Sequence, residues 1–317
     1  MADYFGSMRW MSELPLHLIR IPLNSLAIPG SHNSFSFSLD PSGGVAVDQP
    51  GSIRNLGSLC CGAGLSVIRK WSQTQSLSFR QQLNLGIRYF DLRVCTKPGT
   101  TEILFIHGLY GDSVLSRLRE INAFMDENPR EFIFLDFNHF YNMAPAAHQH
   151  LLEAIRKIFG EKLLDTQSYR MASFFTLTLE NIWTTSKRLM VFYHEDRAIG
   201  THIHVWPRYA VRAPWPNTNN TTVLHDFLET NYIEQRRPNS GQFCVWQGIL
   251  TPTTKNILSN AAGSLKESVA PSATNTFLGW IRNKLPGPQG INICLADFVE
   301  MFDFTPTVIN LNHKIPQ

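Results

Sequence analysis

The sequence predicts an α/β fold: a distorted (β/α)8 TIM-type barrel occupying residues 1–317 as a single domain. Three observations lead there. Strand-like and helix-like segments alternate with few interruptions, and no internal repeat or low-complexity tract breaks the series. The strand-like segments are nearly continuous apolar runs, as expected of parallel strands buried on both faces. His32, Arg93, His107, Asn138 and Asp297 all lie at or just beyond the ends of such runs. The C-terminal rim of a barrel is where polar residues of this kind assemble into an active site. A chain of 317 residues suits one barrel of this size.

The elements follow in order. Leu26–Ile28 reads as a short first strand, followed by a Gly- and Ser-containing stretch, Pro41–Gly64, read as a large loop. Ser78 and Gly86 bracket a helix as N-cap and C-terminal stop. Ile87–Val94 and Ile103–Ile106 are strands. Val114, Leu118, Ile121 and Met125 step around one helical face, and that helix stops before Pro129. Phe132–Phe137 is the next strand. Leu151, Leu152, Ile155, Ile158 and Phe159 line another amphipathic helix. Leu189–Tyr193, Ile203–Trp206, Gln242–Ile249 and Ile291–Asp297 complete about eight strands, with a helix predicted over Val223–Glu234. Pro207–Asn220 reads as a rim loop.

Composition narrows the class of function. With 28 basic and 25 acidic residues the net charge is +3, and no Lys/Arg-rich run appears. Nucleic acid is therefore not an expected partner. The five cysteines form no CxxC motif and point to reduced thiols. The start lacks the pattern of a secretory leader, and no apolar run approaches membrane-spanning length. The expectation is a cytoplasmic protein with transient, peripheral membrane association. On that expectation the N-x-Thr patterns at Asn219 and Asn220 are not glycosylated.

Two imidazoles, His32 and His107, frame the guanidinium of Arg93, which ends Asp91-Leu92-Arg93. A base, an acid and a fixed positive charge are what metal-free phosphodiester cleavage needs. Each residue also has a plainer reading. Pro-Gly-Ser-His-Asn is a good turn sequence. Asp91 and Arg93 share a strand face and could form an internal ion pair. Asp297 could cap the segment Phe298–Phe302. His194, Glu195 and Asp196 resemble ligands, but adjacent side chains chelate a single ion poorly, and His202 with His204 lacks a third partner.

The series Ile28-Pro29-Gly30-Ser31-His32-Asn33-Ser34, Trp71-x-x-Thr74-Gln75, Gly86 to Arg93 and Phe105-Ile106-His107-Gly108 resembles the X region of phosphatidylinositol-specific phospholipase C. More closely, the chain is similar to the single-domain eukaryotic PI-PLC X domain-containing proteins from about Trp10 to Leu311. That likeness takes in Asp136 to Tyr141, Ala213-Pro214-Trp215 and Ala296-Asp297-Phe298. The resemblance implies a barrel without PH, EF-hand or C2 modules. It implies that His32 is the general base toward the inositol 2-hydroxyl and His107 the general acid toward diacylglycerol. Asp297 would orient the base, and Arg93 would neutralise phosphoryl charge.

Two departures matter. Arg93 and Asn138 stand where calcium-dependent relatives carry acidic residues, leaving Asn33 and Asp91 as the remaining candidate ligands. No metal and no other cofactor is therefore expected. Asn33 stands where the bacterial pattern has an Asp that partners the acid histidine, which makes slow turnover an expectation. Asn138, His194 and Gln247 are the candidate substrate-binding residues. The implied partner is an inositol phospholipid at a membrane surface. The alternative is a catalytically weak or silent barrel that binds inositol lipid headgroups or a protein. A barrel hydrolase acting on another phosphodiester is a third reading.

Overall fold

A computed structural model describes residues 8–49, 62–169, 176–200, 202–235 and 241–316. Its strands are β1 (Ile28–Ser31), β2 (Asp40–Val45), β3 (Tyr89–Thr96), β4 (Ile103–His107), β5 (Leu109–Ser113) and β6 (Ile133–Tyr141). They continue with β7 (Leu189–Tyr193), β8 (Trp206–Pro207), β9 (Val211–Arg212), β10 (Phe243–Gly248) and β11 (Ile293–Ala296). The barrel is the parallel path β8-β7-β6-β3-β1-β11-β10-β9. Its two ends, β8 and β9, share no ladder; the 3-10 turn Arg208–Ala210 joins them. The barrel is thus distorted and left open at one seam.

Alternation along the strands decides what faces the lumen. Ile28, Tyr89, Phe134, Met190, Phe192, Trp206, Phe243, Val245, Ile293 and Leu295 form one apolar core with Trp10, Met11, Leu18 and Leu23. The intervening residues, among them Phe90, Leu92, Leu135, Phe137, Val191, Trp246 and Cys294, belong to a second core shared with the surrounding helices. Side chains on a strand alternate with a period of two. The inward series therefore run Ile28-Gly30-His32, Tyr89-Asp91-Arg93, Phe134-Asp136-Asn138, Phe192-His194, Val245-Gln247 and Leu295-Asp297. Each is apolar below and polar at its C-terminal end.

The helix Phe79–Leu85 carries the expected ends. Ser78 and Gln81 form a reciprocal capping box, and Gly86 closes it at φ 108°. The predicted helix over Val223–Glu234 runs Thr221–Gln235. Helices Ala270–Ile281 and Phe304–Leu311 were not anticipated; both are apolar on more than one face, which blurs a helical period.

Three expectations need correction. Pro41–Gly64 is not wholly loop: its start belongs to β2, and the helix Ala63–Ser72 begins at its end; residues 50–61 lie outside the described part. Ile103–His107 is a strand, but it pairs antiparallel with β3 and with β5, forming a hairpin extension beside the barrel. A short connection permits that direction, whereas a parallel crossover needs a dozen or more residues. Finally, Val211–Arg212, inside the supposed rim loop, supplies the eighth barrel strand. Among the described residues no helix is long and apolar enough to cross a membrane.

Candidate active site

His32 leaves β1 immediately after Ser31, and Asp297 leaves β11 immediately after Ala296, its ladder partner. Adjacent parallel strands thereby bring together two residues that are 265 positions apart, with His32 Nδ1 2.7 Å from Asp297 Oδ1. An Nη of Arg93 lies 3.3 Å from His32 Nε2. A guanidinium only donates, so Nε2 presents its lone pair and Nδ1 carries the proton given to Asp297. Asp297 is buried and is not the cap of the segment that follows.

Asp91, one layer lower, accepts from Asn33 N at 2.9 Å and from Asn138 Nδ2, and its Oδ2 lies 3.8 Å from His32 Nε2. Its oxygens thus go to these neutral donors and not to a simple Asp91–Arg93 ion pair. Burial pushes the Asp91 carboxyl up, but Arg93, His32 and the two donors outweigh it and hold the carboxyl below its usual range. Asn138, on the inward face, falls at a β-bulge: Leu92 pairs with Phe137 and Arg93 with His139, and the residue left between them puts its amide on Asp91. His139 Nδ1 donates to Asn138 Oδ1 at 2.7 Å.

His194 sits over Asp136, with Nε2 2.8 Å from Asp136 Oδ1. Burial would lower its pKa, yet the Asp136 charge prevails and raises it. Tyr89 donates its hydroxyl to the other Asp136 oxygen. That ring lies across Gly30, where a Cβ would come within 3.0 Å of it. Tyr89 and Asp136 were not singled out from the sequence; the inward parity of Tyr89-Asp91-Arg93 and Phe134-Asp136-Asn138 was the available signal.

His107 arrives by a different route. Phe105 pairs with Val94, so the antiparallel run of β4 carries His107 back toward the barrel mouth. Its ring centroid stands 6.5 Å from that of His32. Nδ1 donates to the carbonyl of Ser72, at the end of the helix Ala63–Ser72, at 2.7 Å. This corrects the expectation for Asn33: its side-chain atoms are buried with no hydrogen-bond partner, and a backbone carbonyl takes the place of the carboxylate. Burial and the nearby Arg93 depress the His107 pKa to about 3. Gly108 follows at φ 74°, where a Cβ would meet Ser72 Oγ at 2.3 Å, so only glycine lets Ser72 approach so closely.

Gln247 is not part of this cluster. Its amide donates to the carbonyls of Ala213 and Pro214 at 3.2 and 3.0 Å, tying down the loop after β9. Of the rim tryptophans, Trp71 and Trp206 are buried and Trp215 is exposed. Among the described residues, no three His, Cys, Asp or Glu side chains group as metal ligands.

The fold defines a class, the barrel seen in phosphatidylinositol-specific phospholipases C. The protein of that description from Listeria monocytogenes superposes with a TM-score of 0.65 at 16% identity, covering 98% of this chain and 99% of its own. A Staphylococcus aureus counterpart gives a TM-score of 0.64 at 17% identity, with the same coverage of both chains. At the level of sequence, the family described as PI-PLC X 1 matches residues 64–221. PI-PLC X domain-containing protein 2 of Mus musculus is 43% identical over 96% of this chain and 87% of its own length. PI-PLC X domain-containing protein 3 of Homo sapiens is 39% identical over 96% and 93%. The chain belongs to the family of PI-PLC X domain-containing proteins.

Proposed function

We propose that this protein is a phosphodiesterase that cleaves phosphatidylinositol-type lipids to diacylglycerol and a cyclic inositol phosphate, with no metal ion in the reaction. The observation that carries this reading is the His32 ring. Nδ1 donates to Asp297 at 2.7 Å, and Nε2 carries no proton and accepts from Arg93 at 3.3 Å. His32 Nε2 takes the proton of the inositol 2-hydroxyl as its oxygen bonds to phosphorus. Asp297 balances the imidazolium that forms. Arg93 meets the phosphoryl oxygens. The bond from phosphorus to the diacylglycerol oxygen breaks, and that oxygen receives a proton from His107 Nε2.

His107 enters this scheme unprotonated, because its pKa is about 3 before substrate arrives. The bound phosphodiester anion raises that pKa, and His107 Nε2 takes up its second ring proton from solvent before passing it to the leaving oxygen. Asn138 and His194 line the wall where inositol hydroxyls are bound. The partner is a lipid in a membrane surface met peripherally, from the cytoplasm. The same depressed pKa supports the alternative, a barrel that holds inositol headgroups without turning them over.

Phosphorus NMR of the protein with phosphatidylinositol vesicles in excess EGTA tests the reading. A cyclic inositol phosphate signal from wild type, absent with His32→Ala, is the expected result. No cyclic product with EGTA, and product once calcium is added, overturns the metal-free step. No product under either condition, with headgroup binding retained, establishes the binding barrel.

A further inference from the structure

Beneath the His32–Asp297 couple lies a pair of buried residues from neither strand. Thr74 and Gln75 follow the helix Ala63–Ser72 and are essentially inaccessible. The carboxamide of Gln75 donates from Nε2 to two carbonyls at once, His32 O at 3.0 Å and Ala296 O at 2.9 Å. Its Oε1 accepts from Val299 N at 3.2 Å, which fixes the orientation of the amide, since an N–H can only donate. Thr74 Oγ1 gives the His32 carbonyl a second donor at 2.9 Å. The Thr74 carbonyl accepts from Phe298 N at 2.6 Å. Asp297 is therefore gripped through the peptide groups on both sides, and His32 through its own carbonyl. Phe298, at φ 45°, sits in the left-handed region, uncommon for a bulky residue, with its N–H held by the Thr74 carbonyl.

The pair is itself held. Ser36 Oγ accepts from both Thr74 N and Gln75 N, at 2.9 and 2.8 Å. The direct ladder contact between the two strand ends, His32 N to Ala296 O at 3.1 Å, shares its acceptor with Gln75. Strand pairing ends there, and nothing in the ladder fixes the residues beyond it. We propose that Thr74 and Gln75 are positioning residues that set the separation and facing of His32 and Asp297, acting through backbone carbonyls and without touching substrate. The proposal rests on the reading of His32 as general base.

The test uses Thr74→Val, Thr74→Ser and Gln75→Met in the full chain. Cleavage of phosphatidylinositol vesicles gives kcat and KM, and proton NMR of 15N-histidine-labelled protein follows the low-field Nδ1 protons of His32 and His107. Thr74→Val and Gln75→Met are expected to lower kcat about 10- to 100-fold, the effect of a misplaced base, with KM nearly unchanged. Thr74→Ser, which keeps the hydroxyl, is expected to restore kcat. The His32 Nδ1 resonance is expected to move or vanish while that of His107, bonded to Ser72, stays. Unchanged kcat and an unmoved His32 resonance in both variants would overturn the proposal. So would a loss equal in Thr74→Val and Thr74→Ser, or disappearance of both histidine resonances, since either marks a general structural role. Should wild type prove unable to cleave lipid, the resonances decide alone. A moved His32 signal then upholds the clamp while the hydrolase reading falls. Should Gln75→Met fail to fold, the Thr74 pair decides.

Discussion

The Nδ1 proton of His107 is given to the carbonyl of Ser72 at 2.7 Å, a neutral acceptor at a helix end. A carboxylate in that place would favour the imidazolium far more strongly. The consequence is an imidazole kept neutral at its other nitrogen, with burial and Arg93 both opposing its charge.

Binding of an inositol phosphate should therefore take up protons. The free His107 pKa is about 3, and a bound phosphate raises it, so uptake occurs at pH values between the free and bound pKa. Calorimetry of myo-inositol phosphate binding in buffers of different ionisation enthalpy measures the proton count. A count of zero throughout this window would show that His107 remains neutral when occupied.

Arg93→Leu removes the second largest of the three influences that depress His107, after burial and ahead of His32, so its pKa should rise from about 3. Histidine-resolved NMR titration reads this directly. Cleavage should fall at the same time, because the charge facing the phosphoryl oxygens is lost.

Asp297→Asn keeps the shape of the couple and removes its charge. The Asn amide can donate to Nδ1 and so favour the wrong tautomer of His32; kcat should fall by about 10³- to 10⁴-fold. Binding of myo-inositol phosphate should persist. Loss of binding in step with kcat would instead place Asp297 in headgroup recognition.

Gly108→Ala forces a left-handed residue to carry a Cβ, at about 1–2 kcal/mol, and drives it into Ser72 Oγ. Chemical denaturation should report that loss. The low-field Nδ1 resonance of His107 should shift, as Ser72 is pushed from the ring.

Asp136→Asn should lower the His194 pKa, because the Asp136 charge is what raises it. The folded-state value in wild type lies above the ordinary 6.5, so the contribution of this pair to stability is complete below that value. It fades as pH rises through the folded pKa. Wild type and variant should accordingly differ more in denaturation midpoint at pH 5.5 than at pH 9. Equal differences at both would mean that the pair carries no linked proton.

The sequence made the long apolar strands and the capped helix Phe79–Leu85 legible, because a period of two and a capping box are local signals. It placed His32, His194 and Asp297 just beyond strand ends, where the structure has them, whereas Arg93 and Asn138 lie inside β3 and β6, which run on to Thr96 and Tyr141. Direction was the part it withheld. The apolar run Ile103–Ile106 looks the same in a hairpin as in a barrel strand, and only pairing distinguishes them. Val211–Arg212 was invisible because a two-residue strand has no period. Ser72 escaped notice because it acts through a carbonyl, which every residue possesses. Gln247 shows the converse, a side chain at the expected height whose donors had a nearer acceptor in the rim loop.

The alternation of inward and outward residues has a consequence for how this chain tolerates change. Along β11 and the residue that follows it, Leu295 and Asp297 face the lumen while Cys294 and Ala296 face the helices. Inserting one residue ahead of that strand would exchange the two sets, burying a carboxylate among helices and emptying the mouth of its partner for His32. The same reading frame governs β1, β3, β6 and β7. Insertions and deletions are thus survivable in the connections beyond the strand ends and ruinous within the strands, and length variation among related chains should collect in those connections.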